Sequence, residues 1–114
     1  MILVVGGAAS GKYEYIRSLG YSPEQISEEV SSPAPVMYAL EKAVALDIDG
    51  APLLFDSLLR KEVVSCCEVG SGVIPIEKND RAFREACGRL CVQLAKEAEK
   101  VVRLVSGIPV VIKE

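Results

Sequence analysis

The chain opens with four apolar residues, ILVV at 2–5, that run into Gly6 and Gly7, the pattern of a buried central strand entering a tight turn. Residues 12–19 follow as a helix, and Gly20 stands where a left-handed C-cap closes one. Ser22, Pro23 and Gln25 are placed as N-cap, first helical residue and third, which predicts a second short helix reaching to about residue 30. SSPAP at 31–35 breaks it. A short strand is expected at 36–38, leading directly into a helix over 39–46 that DIDG at 47–50 terminates. Residues 52–61 carry Leu53, Leu54, Leu58 and Leu59 as a broad apolar stripe and read as another helix. EVVSCC at 62–67 reads as a β-branched strand delivering the chain into a loop, EVGSGVIP, at 68–75. Asp80 is placed to cap a long helix over 81–100, in which Phe83, Ala86, Cys87, Leu90, Leu94 and Ala98 recur at three- and four-residue steps. Two strand-like pieces, 101–107 and 109–113, end the chain. Strands alternating with helices predict an α/β fold, a three-layer sandwich around a mostly parallel sheet.

At 114 residues the chain suits one compact domain spanning 1–114, and half of it is apolar with a quarter charged, a globular composition. A net charge of −3 gives no broad basic field, and two Phe, four Tyr and no Trp leave few stacking platforms, so nucleic acid is not an expected partner. The apolar start lacks a basic leader region and no run approaches the length of a membrane span, so a cytoplasmic protein with no membrane partner is expected. The four Cys are Cys66 and Cys67, adjacent, and Cys87 and Cys91, one helical turn apart. That is neither a secreted disulfide framework nor a CxxC metal site, no His is present to complete a mixed one, and buried apolar thiols are the expectation.

Between the first strand and the first helix lies GGAASGKY, residues 6–13. It meets the pattern G-x-x-x-x-G-K-[ST] at Gly6, Gly11 and Lys12 and departs from it at Tyr13. In such a loop the glycines let backbone N–H groups turn inward on phosphate oxygens, and the lysine adds a point charge on the outer phosphates. Gly6, Gly7, Ala8, Ala9, Ser10, Gly11, Lys12 and Tyr13 are therefore the candidate nucleotide-binding residues. Ser or Thr at the last position would hold a magnesium ion. A tyrosine oxygen lies at the far end of a ring, so the metal loses a protein ligand or takes water instead, which places phosphoryl turnover in doubt but not phosphate binding.

MILVVGGAASGK resembles MILVTGGARSGKS, the opening of the bifunctional adenosylcobinamide kinase/adenosylcobinamide-phosphate guanylyltransferase family of cobalamin assembly. CCEVGSGVIP at 66–75 resembles that family's TNEVGxGIVP, FREACGRL at 83–90 its FRDxAGRxN, and VVRLVSGIPVVIK at 101–113 its VxLVVSGxxxxIK. The resemblance covers roughly residues 1–20 and 61–113. It implies a P-loop NTPase-like fold, often a trimer, that uses GTP or ATP, phosphorylates adenosylcobinamide, and then transfers GMP through a covalent histidine. A chain without His cannot take that second route itself. The segment that would carry the histidine is also shorter here. Two expectations follow: a member with guanylyl transfer lost and kinase activity open, or a catalytically inactive subunit that binds nucleotide or corrinoid.

The family's Walker-type acid has several placements. If VMYAL is the strand end, Tyr38 and Ala39 take its position; if LLFDSL is, Asp56 supplies it; Glu68 in the EVG motif is the remaining acid. Lys12 and Glu68 are thus the candidate catalytic residues, Glu68 having a loop-anchoring role as its alternative. Cys67 replaces the family's Asn, and Arg81, Arg84 and Arg89 fall where the family is also basic. No metal-ligating residue is assigned, and an apolar sheet edge makes a homo-oligomer the expected assembly.

Overall fold

A computed structural model describes residues 1–68 and 78–114. In chain order its elements are β1 (Ile2–Gly6), α1 (Lys12–Ser18), β2 (Ile26–Ser27), β3 (Val36–Met37), α2 (Leu40–Leu46), α3 (Phe55–Leu59), β4 (Val63–Cys67), α4 (Lys78–Glu97), β5 (Lys100–Val105) and β6 (Ile108–Lys113). The strands form one sheet in the order β2-β3-β4-β1-β5-β6, parallel throughout except for β6.

The apolar run at 2–5 is central because both its faces are covered. Leu3 joins a core with Leu40, Val44, Leu58, Leu90 and Leu94 from α2, α3 and α4. Val4 joins a second core with Ile16 of α1, Val36, Val63, Val102 and Leu104. Strand alternation sends successive side chains to opposite faces, so α1 covers one side of the sheet and the other three helices cover the other. The expected α/β sandwich with a mostly parallel sheet is the observed architecture. Cys66 and Cys87 are fully buried and all four thiols are free. Hydrogen bonds with the Cys87 and Cys91 thiols, together with burial, hold the Cys66 thiol well above its ordinary range.

Several boundaries differ from expectation. The helix expected over 22–30 is a single 3₁₀ turn, Pro23–Gln25, although the Ser22 N–H does donate to Gln25 Oε1 at 2.9 Å. Ile26 and Ser27 are instead drawn into β2 by parallel pairing with Val36 and Met37. The helix expected over 52–61 begins as a 3₁₀ turn, Ala51–Leu54, and becomes α-helical only over Phe55–Leu59. Within that stripe Leu58 is buried but Leu53 is 84% exposed. Asp80 lies inside α4, which runs Lys78–Glu97 and not 81–100. The loop at 68–75 lies outside the described residues beyond Glu68. The two terminal strands form an antiparallel hairpin, turning through Ser106 and Gly107, both at positive φ (50° and 79°), the combination that a two-residue type I′ turn requires. Among the described residues no helix is long and apolar enough to cross a membrane.

Candidate functional site

β1 delivers Gly6 to the carboxyl edge of the sheet beside Cys67 of β4 and Leu104 of β5. There is no room for a side chain there. A Cβ on Gly6 would collide with Ser10 Oγ and lie 3.0 Å from the Leu104 carbonyl. At the other end of the loop Gly11 has φ 94°, and a Cβ on it would stand 3.1 Å from Gly107 Cα. The two glycines at the fixed positions of the motif are thus required by close approach and by backbone conformation respectively.

Hydrogen bonds brace the loop from three directions. The Ser10 N–H donates to the Gly7 carbonyl at 3.2 Å, the Gly107 N–H in the hairpin turn donates to the Ser10 carbonyl at 2.9 Å, and the Glu68 N–H donates to the Gly6 carbonyl at 2.8 Å. Lys12 opens α1 but its side chain turns back under the loop, 6% exposed, with Nζ donating to Gly7 O at 2.7 Å and Gly6 O at 3.2 Å. Among the described residues no carboxylate pairs with it. Ser10 Oγ is buried and has no hydrogen-bond partner among the described residues. A buried ammonium balanced only by carbonyl dipoles, next to an orphaned hydroxyl, is an environment that favours an anion.

Tyr13 is half-buried, and its ring meets Tyr38 edge to face, centroids 5.4 Å apart at 83°. Tyr38 follows β3 directly. Burial, and then the carboxylate of Glu41, push its phenol above the ordinary range. Ala39, next in the chain, is left-handed (φ 61°) and donates its N–H to the buried Ser65 Oγ at 3.0 Å. The end of β3 therefore holds tyrosine and alanine and no acid. Asp56 is exposed in the first turn of α3, on a helix and not at a strand end. Of the alternatives for the family's acid, the structure places Tyr38 and Ala39 at the strand end and removes Asp56.

Two carboxylates do border the site, and each is already engaged. Glu41, in the first turn of α2, accepts the Cys67 N–H at 2.9 Å. Glu68 holds Arg103 of β5 with both oxygens, Nε to Oε1 at 2.6 Å and Nη2 to Oε2 at 3.2 Å. The Cys67 thiol between them is raised by burial against the opposing charge of Lys12. A cavity of about 310 Å³ is lined by loop residues 7–10, Glu68, Arg103 and residues 104–106. Arg81, Arg84 and Arg89 lie on α4 and are not among its described lining residues; Arg89 pairs with Glu85 one turn away at 3.8 Å.

Magnesium held between phosphates needs hydroxyl or carboxylate oxygens that can face it. Here Tyr13 presents a ring packed on another ring, and Glu41 and Glu68 are committed to an N–H and a guanidinium. No group of three or more His, Cys, Asp or Glu that could hold a metal occurs among the described residues. Among the described residues, Tyr13, Glu41 and Glu68 as they stand do not offer that ion a set of free oxygens. Reading the sequence missed Glu41 and Arg103. Arg103 had one visible signal, a charge inside the otherwise apolar VVRLV, whereas Glu41 had none beyond following a strand end.

A central parallel strand, a glycine-bounded loop and a helix opened by lysine define an α/β protein of P-loop NTPase-like architecture. The family model for cobinamide kinase / cobinamide phosphate guanyltransferase matches residues 54–112, just over half of the chain, and the chain belongs to that family. It is 37% identical over 75 residues to the bifunctional adenosylcobalamin biosynthesis protein CobU of Escherichia coli (strain K12), covering 66% of this chain and 41% of that protein. It is 36% identical over 75 residues to the protein of the same name from Salmonella typhimurium, with the same shares covered. The chain thus spans about two fifths of the length of these relatives. The family match takes in β4, Glu68, α4 and Arg103, and leaves residues 6–13 outside it.

Proposed function

We propose that residues 6–13 bind the phosphates of a nucleoside triphosphate, GTP or ATP, in a cytoplasmic protein that serves cobalamin biosynthesis, with adenosylcobinamide as the second ligand. The observation that carries this reading is Lys12, a buried ammonium set under a glycine-bounded loop whose partners among the described residues are carbonyls. Phosphate oxygens would give that charge its counter-ion and give Ser10 Oγ an acceptor. Guanylyl transfer through a histidine has no nucleophile in these 114 residues. One observation favours the second reading, a binding subunit without kinase chemistry. Tyr13 stands where the metal-binding hydroxyl would be, and its ring touches Tyr38, which stands at the end of β3 where an acid could face the metal.

Calorimetric titration of GTP and ATP, in magnesium and in chelator, tests this directly. Nucleotide should bind about equally well in both, and Lys12→Ala should abolish binding. Absence of both heat and thermal shift with either nucleotide would remove the reading. A phosphorylated product from ATP or GTP and adenosylcobinamide would instead restore the kinase and refute the binding-subunit form.

A further inference from the structure

Arg103 stands inside β5 among the buried residues Val101, Val102 and Leu104, three positions on from the charged residue that opens the strand. It pairs in register with Val5 of β1, one step before Gly6 begins the loop. Its partner, Glu68, is anchored to the same place, because the Glu68 backbone N–H donates to the Gly6 carbonyl. Both residues line the cavity that the loop residues 7–10 line. The guanidinium stays reachable, its side chain 51% exposed against 26% for Glu68. Taken alone, such a pair is a partly solvated salt bridge that contributes little to folding. Its position gives it another use.

A carboxylate at the rim of a phosphate cavity repels the ligand unless a cation neutralises it. A guanidinium fork matches a phosphate as well as it matches a carboxylate, two parallel N–H donors to two oxygens. Side-chain cations can balance the charge of a phosphate chain, and Lys12 is one. We infer that Arg103 is the second phosphate-binding cation of this site, held at the cavity by Glu68 and transferred from that carboxylate to the phosphates when a nucleotide binds. This rests on the proposed phosphate-binding reading of residues 6–13 and gives Glu68 the role of a positioning residue for Arg103. The exchange makes and breaks hydrogen bonds only, and the Glu68 carboxylate passes to water as the ligand takes its place.

The test is a double-mutant cycle read by calorimetry, with ATP and with inorganic tripolyphosphate, both in chelator. Arg103→Leu should weaken both ligands by roughly tenfold to a hundredfold, the worth of a hydrogen-bonded charge pair. Glu68→Gln should tighten both, since the competing carboxylate is gone. Arg103→Leu should cost more in the Glu68→Gln background than in the wild type, because there the guanidinium is wholly available to phosphate. A purely structural ion pair would shift the melting temperature in each variant and leave the affinities in place. If wild type binds, Lys12→Ala does not, and Arg103→Leu matches wild type, this inference fails and the reading of the loop stands. If wild type binds neither ligand, both fail. Should Arg103→Leu not fold, Arg103→Gln keeps a polar side chain on the strand, and its affinity decides in the same way.

Discussion

The ring of Tyr13 rests on Tyr38, so changing either residue changes a pair. An edge-to-face contact of this kind is worth about 0.5–1.5 kcal/mol beyond the area it buries. Tyr13→Ala should therefore lower the melting temperature by a few degrees in a thermal denaturation scan. The same pairing bears on the metal. Tyr13→Ser alone returns a hydroxyl but meets no acid at the end of β3, so titrations with and without magnesium should still agree. The double variant Tyr13→Ser/Tyr38→Asp restores both oxygens and should make triphosphate binding tighten when magnesium is added; indifference to the metal in the double variant would show that the pair is not what excludes it. The departure at Tyr13 was legible in the sequence, because the loop motif fixes what belongs there. That Tyr38 stands at a strand end was one of several open alternatives, and its contact with Tyr13 was not legible at all, since it joins residues 25 positions apart through the pairing of β3 beside β4. Arg103 and Glu68, separated by 35 residues, were hidden by the same cause.

At the scale of elements, Lys113 answers a question that the motif at 101–113 raises but does not settle. It ends β6 and donates Nζ to the carbonyls of Ala95 at 2.9 Å and Lys96 at 2.8 Å. These are among the last carbonyls of α4, which have no intrahelical donor, and a cation there also complements the helix dipole. The last strand thus closes the longest helix. Lys113→Met keeps the stem and removes the charge, and should cost about 1 kcal/mol in urea or thermal unfolding. A stability equal to wild type would show the contact to be incidental. The apolar periodicity of 81–98 was enough to identify α4, since a twenty-residue helix buries a continuous stripe. Pro23–Gln25 shows the opposite case. The start signal at Ser22 was real, but β2 depends on pairing with Val36 and Met37, a non-local interaction that outweighs a three-residue cap. The 51–59 segment likewise kept its apolar content and lost regularity in its first turn, where Pro52 supplies no N–H.

At the scale of the whole molecule, the alternation of strands and helices was sufficient for the α/β architecture, and the Ser106–Gly107 turn explains why the last strand alone runs antiparallel. What this topology leaves over is β6. It is exposed along its whole length, with Ile108 at 64%, Val110 at 47% and Ile112 at 60%. An apolar edge strand without a neighbour promotes association unless something interrupts it. Pro109 supplies no N–H and so interrupts a ladder that a further strand would build. This favours contact through the side chains of β6 over strand addition, with a second copy of this chain as the occupant. Sedimentation equilibrium at tens of micromolar, a range in which micromolar affinities are populated, should then give a mass above that of one chain. Val110→Lys with Ile108→Lys should return it to one, while the melting temperature changes little, because neither side chain is in the core. A wild-type mass equal to one chain, or an oligomer indifferent to both lysines, would place the self-association surface somewhere other than β6 or remove it. Because β5 carries Arg103 and its hairpin turn carries Gly107, which braces the loop through Ser10, an interface on β6 would also sit one strand from the proposed nucleotide. Nucleotide binding and assembly should then report on each other: adding ATP should shift the monomer–oligomer equilibrium of wild type, and the two-lysine variant should bind ATP with altered affinity, as linkage between coupled sites requires.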